Sequence, residues 1–195
     1  MHHCPLKGWK MIDNSVKTNL LKLARETIER KFIGSSLDLE LYTDDIYNEK
    51  RGAFVTLHKE GQLRGCIGYI IAYKSLKETI SEMALAAAFR DPRFEPLRRE
   101  ELSQIDIEIS VLSEMIPIEN ASEIVIGRDG LLIEHFHGHG VLLPQVATEY
   151  GWDVNAYLKQ LCFKAGLSAE AWKDKEARLF RFTAEVFDEK NLYAK

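Results

Sequence analysis

The residues best able to do chemistry are concentrated in the segment LRGCIG, residues 63–68. The segment places a guanidinium, Arg64, two residues before a thiol, Cys66. On a strand the two side chains would share a face about 7 Å apart. At an effective dielectric constant near 20, Arg64 would favour a thiolate by roughly 2.4 kcal/mol, whereas burial raises the pKa of a thiol. The segment therefore permits either a nucleophilic Cys66 or a buried, inert one.

A predicted β-hairpin positions this segment. Residues 53–58 and 62–69 have strand-like patterns on either side of a turn at Glu60 and Gly61. In a regular strand, the side chains of the segment would divide between a core face, with Leu63, Ile67 and Tyr69, and an opposite face, with Arg64, Cys66 and Gly68. A strand glycine costs about 0.5–1 kcal/mol relative to alanine. Gly65 and Gly68 therefore predict a place where a ligand or another chain approaches the backbone.

His58, at the end of the first strand, is the candidate general base for Cys66. A base must come within about 3 Å of its nucleophile, and His58 is the histidine that the hairpin places best. Arg64 would then hold an anionic group of the ligand. In the structural alternative, Arg64 pairs with Asp106 or Glu108 on a neighbouring strand, and Cys66 packs as a small apolar residue.

Two further polar residues lie where predicted helices end or begin. Arg93 follows the helix stop at Asp91 and Pro92, where it would either bind an anion or pair with a nearby acid. Gln145 follows Pro144, whose ring suits the first position of a helix. Its amide would reach a ligand at that helix N-terminus. Both residues join Leu63 to Gly68 as candidate ligand-binding residues.

Three histidines alternate in the segment EHFHGHG, residues 134–140. On a strand, His135, His137 and His139 would share a face and could hold zinc. The two glycines instead indicate a turn, which would scatter the three side chains, and no fourth ligand is matched in spacing. We predict no metal site here and no cofactor.

The composition is that of an ordinary globular domain. The chain has 195 residues, 46% of them hydrophobic and 29% charged, with a net charge of −4. The acidic balance counts against nucleic-acid binding, and no apolar run is long enough for a membrane span. The three cysteines, Cys4, Cys66 and Cys162, match no metal or disulfide pattern. We expect a reduced, cytoplasmic protein.

Helical and strand patterns are mixed along the chain. Apolar residues recur at helical spacing from Val16 to Phe32, and Ser75 with Glu78 forms a capping box for a helix that runs to Arg90. Strict alternation from Ile105 to Leu112 predicts a half-buried strand. Further strands are predicted over 130–134, 140–143 and 179–187, and helices over 145–150 and 154–164. The pattern predicts an α+β fold with antiparallel sheets.

Several of these segments together resemble a known family. The chain combines LRGCIG with DPRF at 91–94, ISVL at 109–112, GRDGL at 127–131, LLPQVA at 142–147 and KAGL at 164–167. In this combination it resembles the AMMECR domain, also called AmmeMemoRadiSam system protein A. The resemblance covers nearly the whole chain from about residue 15. It departs from the family pattern at the three histidines, which the family does not require.

The resemblance implies two lobes, each with an antiparallel sheet and flanking helices. The larger lobe would comprise about 1–120 plus 176–195, and the smaller about 121–175. The cleft between them would be lined by the LRGCIG strand. Microbial members of the family are named together with a Memo-like protein and a radical S-adenosylmethionine protein, which suggests a shared pathway.

Two classes of function remain open at this point. In the first, the protein is an enzyme or enzyme subunit that acts on a protein or metabolite in the cleft, with Cys66 as nucleophile and His58 as base. In the second, it is a non-catalytic binding or adaptor module for the pathway proteins, in which Arg64 is essential and Cys66 is dispensable. Nucleic-acid binding is a third, disfavoured hypothesis.

Overall fold

The computed structural model describes residues 11–193, which divide into two units. The first unit contains residues 11–112 and 185–193, and the second spans Ser113–Ala184. The resemblance placed these boundaries near 120 and 176. The segments at 116–118 and 178–182 are strands that pair with each other, so both belong to the sheet of the second unit. The bounds that the resemblance implies for the lobes stay a prediction.

Within residues 11–193, eight strands form two four-stranded antiparallel sheets. The strands are β1 Ala53–Lys59, β2 Gln62–Tyr69, β3 Ile105–Leu112, β4 Ile116–Ile118, β5 Gly130–His135, β6 Gly138–Leu142, β7 Arg178–Phe182 and β8 Ala184–Asp188. The order in the first sheet is β2-β1-β3-β8, and the order in the second is β4-β7-β5-β6. The α+β fold class predicted from the sequence is therefore confirmed.

The helices of the described residues are α1 Asn14–Phe32, α2 Asp45–Asn48, α3 Leu76–Phe89, α4 Pro144–Glu149, α5 Val154–Lys164 and α6 Glu189–Tyr193. The three longest, α1, α3 and α5, begin where the sequence supplies a capping residue. The Asp13 carboxylate accepts the N–H groups of Ser15 and Val16 at the start of α1. Ser75 and Glu78 form the predicted capping box of α3. No helix in the described part of the chain has the length and apolarity that a membrane crossing requires.

One face of the first sheet packs on the helices. Val55 and Leu57 of β1 pair with Ile109 and Ile107 of β3, and all four are fully buried. Together with the apolar residues of α1 and α3 they form a single core. Since successive residues of a strand point to opposite faces, Phe54, Thr56 and His58 lie on the other side, here called the outer face.

The second unit builds its own core around Tyr157. The ring is fully buried between α5 and the β5–β6 hairpin, with Leu131, Ile133 and Leu161 in the same cluster. The Tyr157 hydroxyl lies 3.1–3.2 Å from three backbone carbonyl oxygens, those of Asp129, Leu142 and Leu143. Burial raises the pKa of Tyr157 far above its usual range, so the hydroxyl stays a donor.

The continuous strand predicted over 179–187 is wrong. The structure has two strands, β7 and β8, separated only by Thr183, and they belong to different sheets. The alternation of apolar residues continues across Thr183 because both strands are half-buried. That pattern carries no information about which sheet each strand joins.

Candidate functional site

A β-bulge sets the geometry of the LRGCIG segment. Leu63 pairs with His58, but Gly65 pairs with Leu57 and Cys66 with Thr56, so Arg64 is an extra residue in β2. The predicted division of side chains is therefore wrong for the start of the strand. Leu63 lies opposite His58 and is exposed, and Gly65 takes the place on the core face.

Gly65 allows α3 to approach the sheet closely. A Cβ atom at this position would lie 2.2 Å from the backbone oxygen of Ala87 in α3. Gly68 is restricted in a different way, since its Cβ would lie 2.3 Å from the ring of Phe54 on β1. Both glycines of the segment are thus explained by packing within the first unit.

Arg64 is held by the carboxylate of Glu101. Its Nε and Nη2 donate to Glu101 at 3.2 and 3.0 Å, and its guanidinium lies 6.0 Å from the centre of the Phe94 ring. Glu101 also accepts from Lys59 Nζ and from the backbone N–H of Arg98, both at 3.0 Å. Hydrogen bonding, first of all from Arg64, lowers the pKa of Glu101 to about 2.

Glu101 thus occupies Nε and Nη2 of Arg64, whereas Nη1 is buried without a hydrogen-bond partner. Ligand binding by Arg64 stays a prediction. The partner of Arg64 is neither Asp106 nor Glu108, the two acids that the sequence suggested. A surface pocket of about 520 Å³ adjoins this ion pair, and among its lining residues three cations face three carboxylates. Those charged residues are Lys59, Arg64, Arg98, Glu95, Glu100 and Glu101.

Cys66 is a mostly buried thiol on the outer face. The Thr56 hydroxyl donates to its sulfur at 3.2 Å, and Glu108 on β3 pairs with Thr56 from the other side. Burial raises the pKa of the Cys66 thiol, against smaller lowering effects from Thr56 and from the charge of Arg93. The arginine that acts on the thiol is Arg93, so the predicted effect of Arg64 is not found.

Asp91 and Arg93 form the most tightly organised contact with the segment. Arg93 donates to the buried Asp91 carboxylate through Nε at 2.9 Å and Nη2 at 2.7 Å. Asp91 in turn accepts the backbone N–H of Cys66 at 2.9 Å, and Arg93 Nη2 donates to the Cys66 carbonyl at 3.2 Å. These bonds, above all those from Arg93, hold the pKa of Asp91 far below its usual range.

The other predicted site residues lie apart from this contact. His58 is two pairs further along the hairpin, so Thr56 rather than His58 is opposite Cys66. Gln145 lies in the first turn of α4 in the second unit, half-buried. His135 is on β5 and His139 on β6, with His137 in the turn between them. No three residues of His, Cys, Asp or Glu cluster within residues 11–193 as metal ligands would. Cys4 lies outside the described residues.

Three important residues were missed by the sequence analysis as site residues: Thr56, Asp91 and Glu101. A regular hairpin closed by the Lys59–Gln62 pair would place Gly65 opposite Thr56, and only the bulge brings Cys66 there. Asp91 was interpreted as part of a helix stop, which is correct but incomplete. Its spacing of two residues from Arg93 was the available signal. For Glu101, no signal separates it from the neighbouring Glu100.

Comparison with known proteins identifies the family. Residues 21–187 match the model of the AMMECR1 family. A protein of Methanothermobacter thermautotrophicus is 46% identical over 178 residues, which cover 87% of this chain and 92% of that relative. Protein MJ0810 of Methanocaldococcus jannaschii is 43% identical over 180 residues, covering 88% and 89%.

A solved structure agrees with this assignment. The crystal structure of the uncharacterised protein PH0010 from Pyrococcus horikoshii matches the fold with a TM-score of 0.81 and 38% sequence identity. The match covers 88% of this chain and 90% of that one. The chain therefore belongs to the AMMECR1 family.

Proposed function

We propose that the protein is a non-catalytic binding or adaptor module that recognises an anionic group of a partner through Arg93. The observation that carries this proposal is the state of the Arg93 guanidinium. Its Nε and Nη2 are fixed by Asp91 and by the Cys66 carbonyl, yet its side chain is 54% exposed. A cation held in place before binding loses little conformational entropy when an anion arrives.

Arg93 keeps two N–H donors for that anion. A guanidinium has five, and Nε with the two hydrogens of Nη2 accounts for the three that Asp91 and Cys66 accept. The remaining two are on Nη1, which lies on the side of the planar group away from Asp91. An oxygen of a carboxylate or a phosphate would accept a hydrogen bond from Nη1.

The chemistry of Cys66 favours binding over catalysis. A nucleophilic cysteine needs a lowered pKa or an adjacent base, whereas burial raises the pKa of Cys66. The group that contacts the sulfur is a threonine hydroxyl, which acts as a donor. The enzyme hypothesis with Cys66 and His58 therefore finds less support than the adaptor hypothesis.

The Memo-like and radical S-adenosylmethionine proteins of the same organism are the partners to test first. Isothermal titration calorimetry with each purified protein should detect binding by the wild type. Arg93→Lys retains a positive charge beside Asp91 but loses the N–H donors of Nη1. We therefore expect binding to weaken about tenfold, equivalent to about 1.4 kcal/mol.

Two matched variants complete this experiment. Cys66→Ser should bind within about twofold of the wild type. Arg128→Lys changes the corresponding arginine of the second unit, beside Asp129, and should also have little effect. If the wild type binds neither the Memo-like protein nor the radical S-adenosylmethionine protein, the proposed partners are refuted. Loss of binding in Cys66→Ser, or a covalent adduct on Cys66, would restore the enzyme hypothesis.

A further inference from the structure

The free edge of β2 is closed at one position by side chains. β2 is an edge strand of the first sheet, and at Cys66 its outward N–H and C=O are bonded by Asp91 and Arg93. A neighbouring strand would offer the same two groups, an oxygen acceptor and an N–H donor. At Cys66, Asp91 and Arg93 thus take the place of one further strand.

The next outward position of this edge is open. Outward backbone groups alternate along an antiparallel strand, so those of Gly68 point the same way as those of Cys66. No residue within 11–193 other than those of β1 bonds to the backbone of Gly68. Gly68 also has no side chain to obstruct an approaching backbone. The edge therefore offers one unsatisfied donor and one unsatisfied acceptor.

Groups of different chemistry flank this open position. On one side is Arg93, with the two N–H donors of Nη1. On the other side, just past the end of β2, the large apolar side chains of Ile71 and Tyr73 are 47% and 64% exposed. β2 ends at Tyr69, and the chain bends at residues 70 and 71, where the backbone N–H of Tyr73 donates to the carbonyl of Ile71 at 3.0 Å. At about 3.3 Å per residue, Cys66 and Tyr69 lie about 10 Å apart along β2, and Ile71 and Tyr73 lie in the bend that follows. A segment of six extended residues, about 16 Å long, would cover the edge from Cys66 to this bend.

We infer that an extended segment of a partner protein adds to the edge of β2 at Gly68. An acidic side chain of the segment binds Arg93 Nη1, its backbone pairs with Gly68, and an apolar side chain four or five residues beyond the acid packs on Ile71 and Tyr73. This inference rests on the proposed function and specifies the kind of partner. Strand addition provides the affinity through backbone bonds and the specificity through the flanking side chains.

Charge argues for a partner rather than for a second copy of β2 in this position. In a self-paired edge, each copy would have to present an acid to the other's Arg93. The segment from Gln62 to Tyr73 contains no aspartate or glutamate. A partner segment with an acid meets the requirement directly.

The test is an NMR titration of ¹⁵N-labelled protein with a synthetic peptide, N-acetylated and C-amidated, of sequence Asp-Thr-Ser-Thr-Val-Ile. We expect the Gly68 amide signal to shift and its exchange with solvent to slow. The same peptide with Asn in place of Asp should bind about tenfold more weakly, because it cannot pair with a guanidinium as an anion.

Protein variants locate the apolar contact. Ile71→Ser should weaken binding of the Asp peptide several-fold. The matched control is Val186→Ser, since Val186 is 46% exposed on β8, the opposite edge strand of the same sheet, and this change should have no effect. Both side chains are exposed, so neither variant is expected to disturb folding.

The outcomes separate the inference from the proposed function. If the peptide shifts the side-chain signal of Arg93 but not the Gly68 amide, strand addition is wrong and anion binding at Arg93 stands. If neither the peptide nor sodium acetate alters the Arg93 signal, the proposed function itself is contradicted. A concentration-dependent Gly68 shift without peptide would assign the edge to a second copy and overturn the inference.

Discussion

Each unit contains a buried aspartate bound by an arginine close to it in sequence, and the two pairs differ in what else they hold. In the first unit, Asp91 and Arg93 reach across to the backbone of Cys66 on β2. In the second, Asp129 and Arg128 close their own loop, where the Asp129 carboxylate accepts the N–H of Val125 at 2.9 Å. The first pair hydrogen-bonds to a distant strand, whereas the hydrogen bonds of the second stay within residues 125–129.

The exposure of the arginines follows the same division. Arg128 is 31% exposed and Asp129 is fully buried, with Arg181 as a second cation 3.8 Å away. Arg93 is more exposed, and no second arginine approaches Asp91 among the ion pairs of the described residues. The same two residue types therefore produce a structural ion pair in one unit and a surface cation with unused donors in the other.

The largest predicted effect is on the more buried pair. Asp129→Asn leaves Arg128 and the largely buried Arg181 without an anion, so we expect a loss of about 3–5 kcal/mol in the free energy of unfolding. Asp91→Asn should cost about 1–3 kcal/mol, because Arg93 can turn into solvent. Urea unfolding followed by circular dichroism measures both. Equal losses would show that exposure of the arginine does not distinguish the pairs.

A pH titration tests the ion pair between Glu101 and Arg64 in the first unit. The pKa of Glu101 is about 2 in the folded protein and about 4.5 when unfolded. Between these values the unfolded chain binds more protons, so the stability due to Glu101 is complete above pH 4.5 and is lost as pH falls toward 2. The difference corresponds to about 3 kcal/mol.

Glu101→Gln should remove this part of the pH dependence. The free energy of unfolding of the variant would then change less between pH 4.5 and pH 2 than that of the wild type. Glu100→Gln is the control, because Glu100 is exposed and its side chain makes no ion pair within residues 11–193. If the two variants have the same profile, Glu101 does not hold Arg64 in solution.

Close approach of a helix to a strand glycine is a feature that the two units share. The Cβ of an alanine at Gly65 would lie 2.2 Å from the oxygen of Ala87, and at Gly138 it would lie 2.2 Å from that of Ala165. Each substitution should cost about 1–3 kcal/mol, because the opposing atom is backbone and cannot turn away. Thermal unfolding measures this.

Gly151 supplies the comparison for these glycines. Its φ is +64° and no atom lies within 4 Å of a Cβ built there, so Gly151→Ala isolates the backbone strain, about 1–2 kcal/mol. A loss at Gly65 or Gly138 of well under 1 kcal/mol would mean that the helix moves away without cost.

The smallest expected effect concerns Cys66. Iodoacetamide should label it only slowly below pH 9, since burial raises the pKa of the thiol. The rate at each pH is measured by mass spectrometry of the Cys66 peptide, with free cysteine as the reference. Rapid labelling at pH 7 would contradict the structural role and support an activated thiol.

Local structure was largely predictable from the sequence, and the site was only partly so. Capping residues and apolar periodicity located α1 and α3 because both signals are local. The bulge at Arg64 was not predictable, since it depends on how β2 fits against α3 and Glu101. The division of 179–187 into β7 and β8 was missed for a similar reason, because strand alternation does not specify the partner strand.

The position of β8 in the chain, directly after β7, has a consequence for synthesis of the protein. β8 completes the first sheet beside β3, but it follows the whole of Ser113–Ala184 in the chain. On the ribosome, the second unit is therefore finished while the first still lacks its last strand. The edge of β3 that β8 later covers stays unpaired while Ser113–Ala184 is synthesised, and an unpaired strand edge is a site of mispairing.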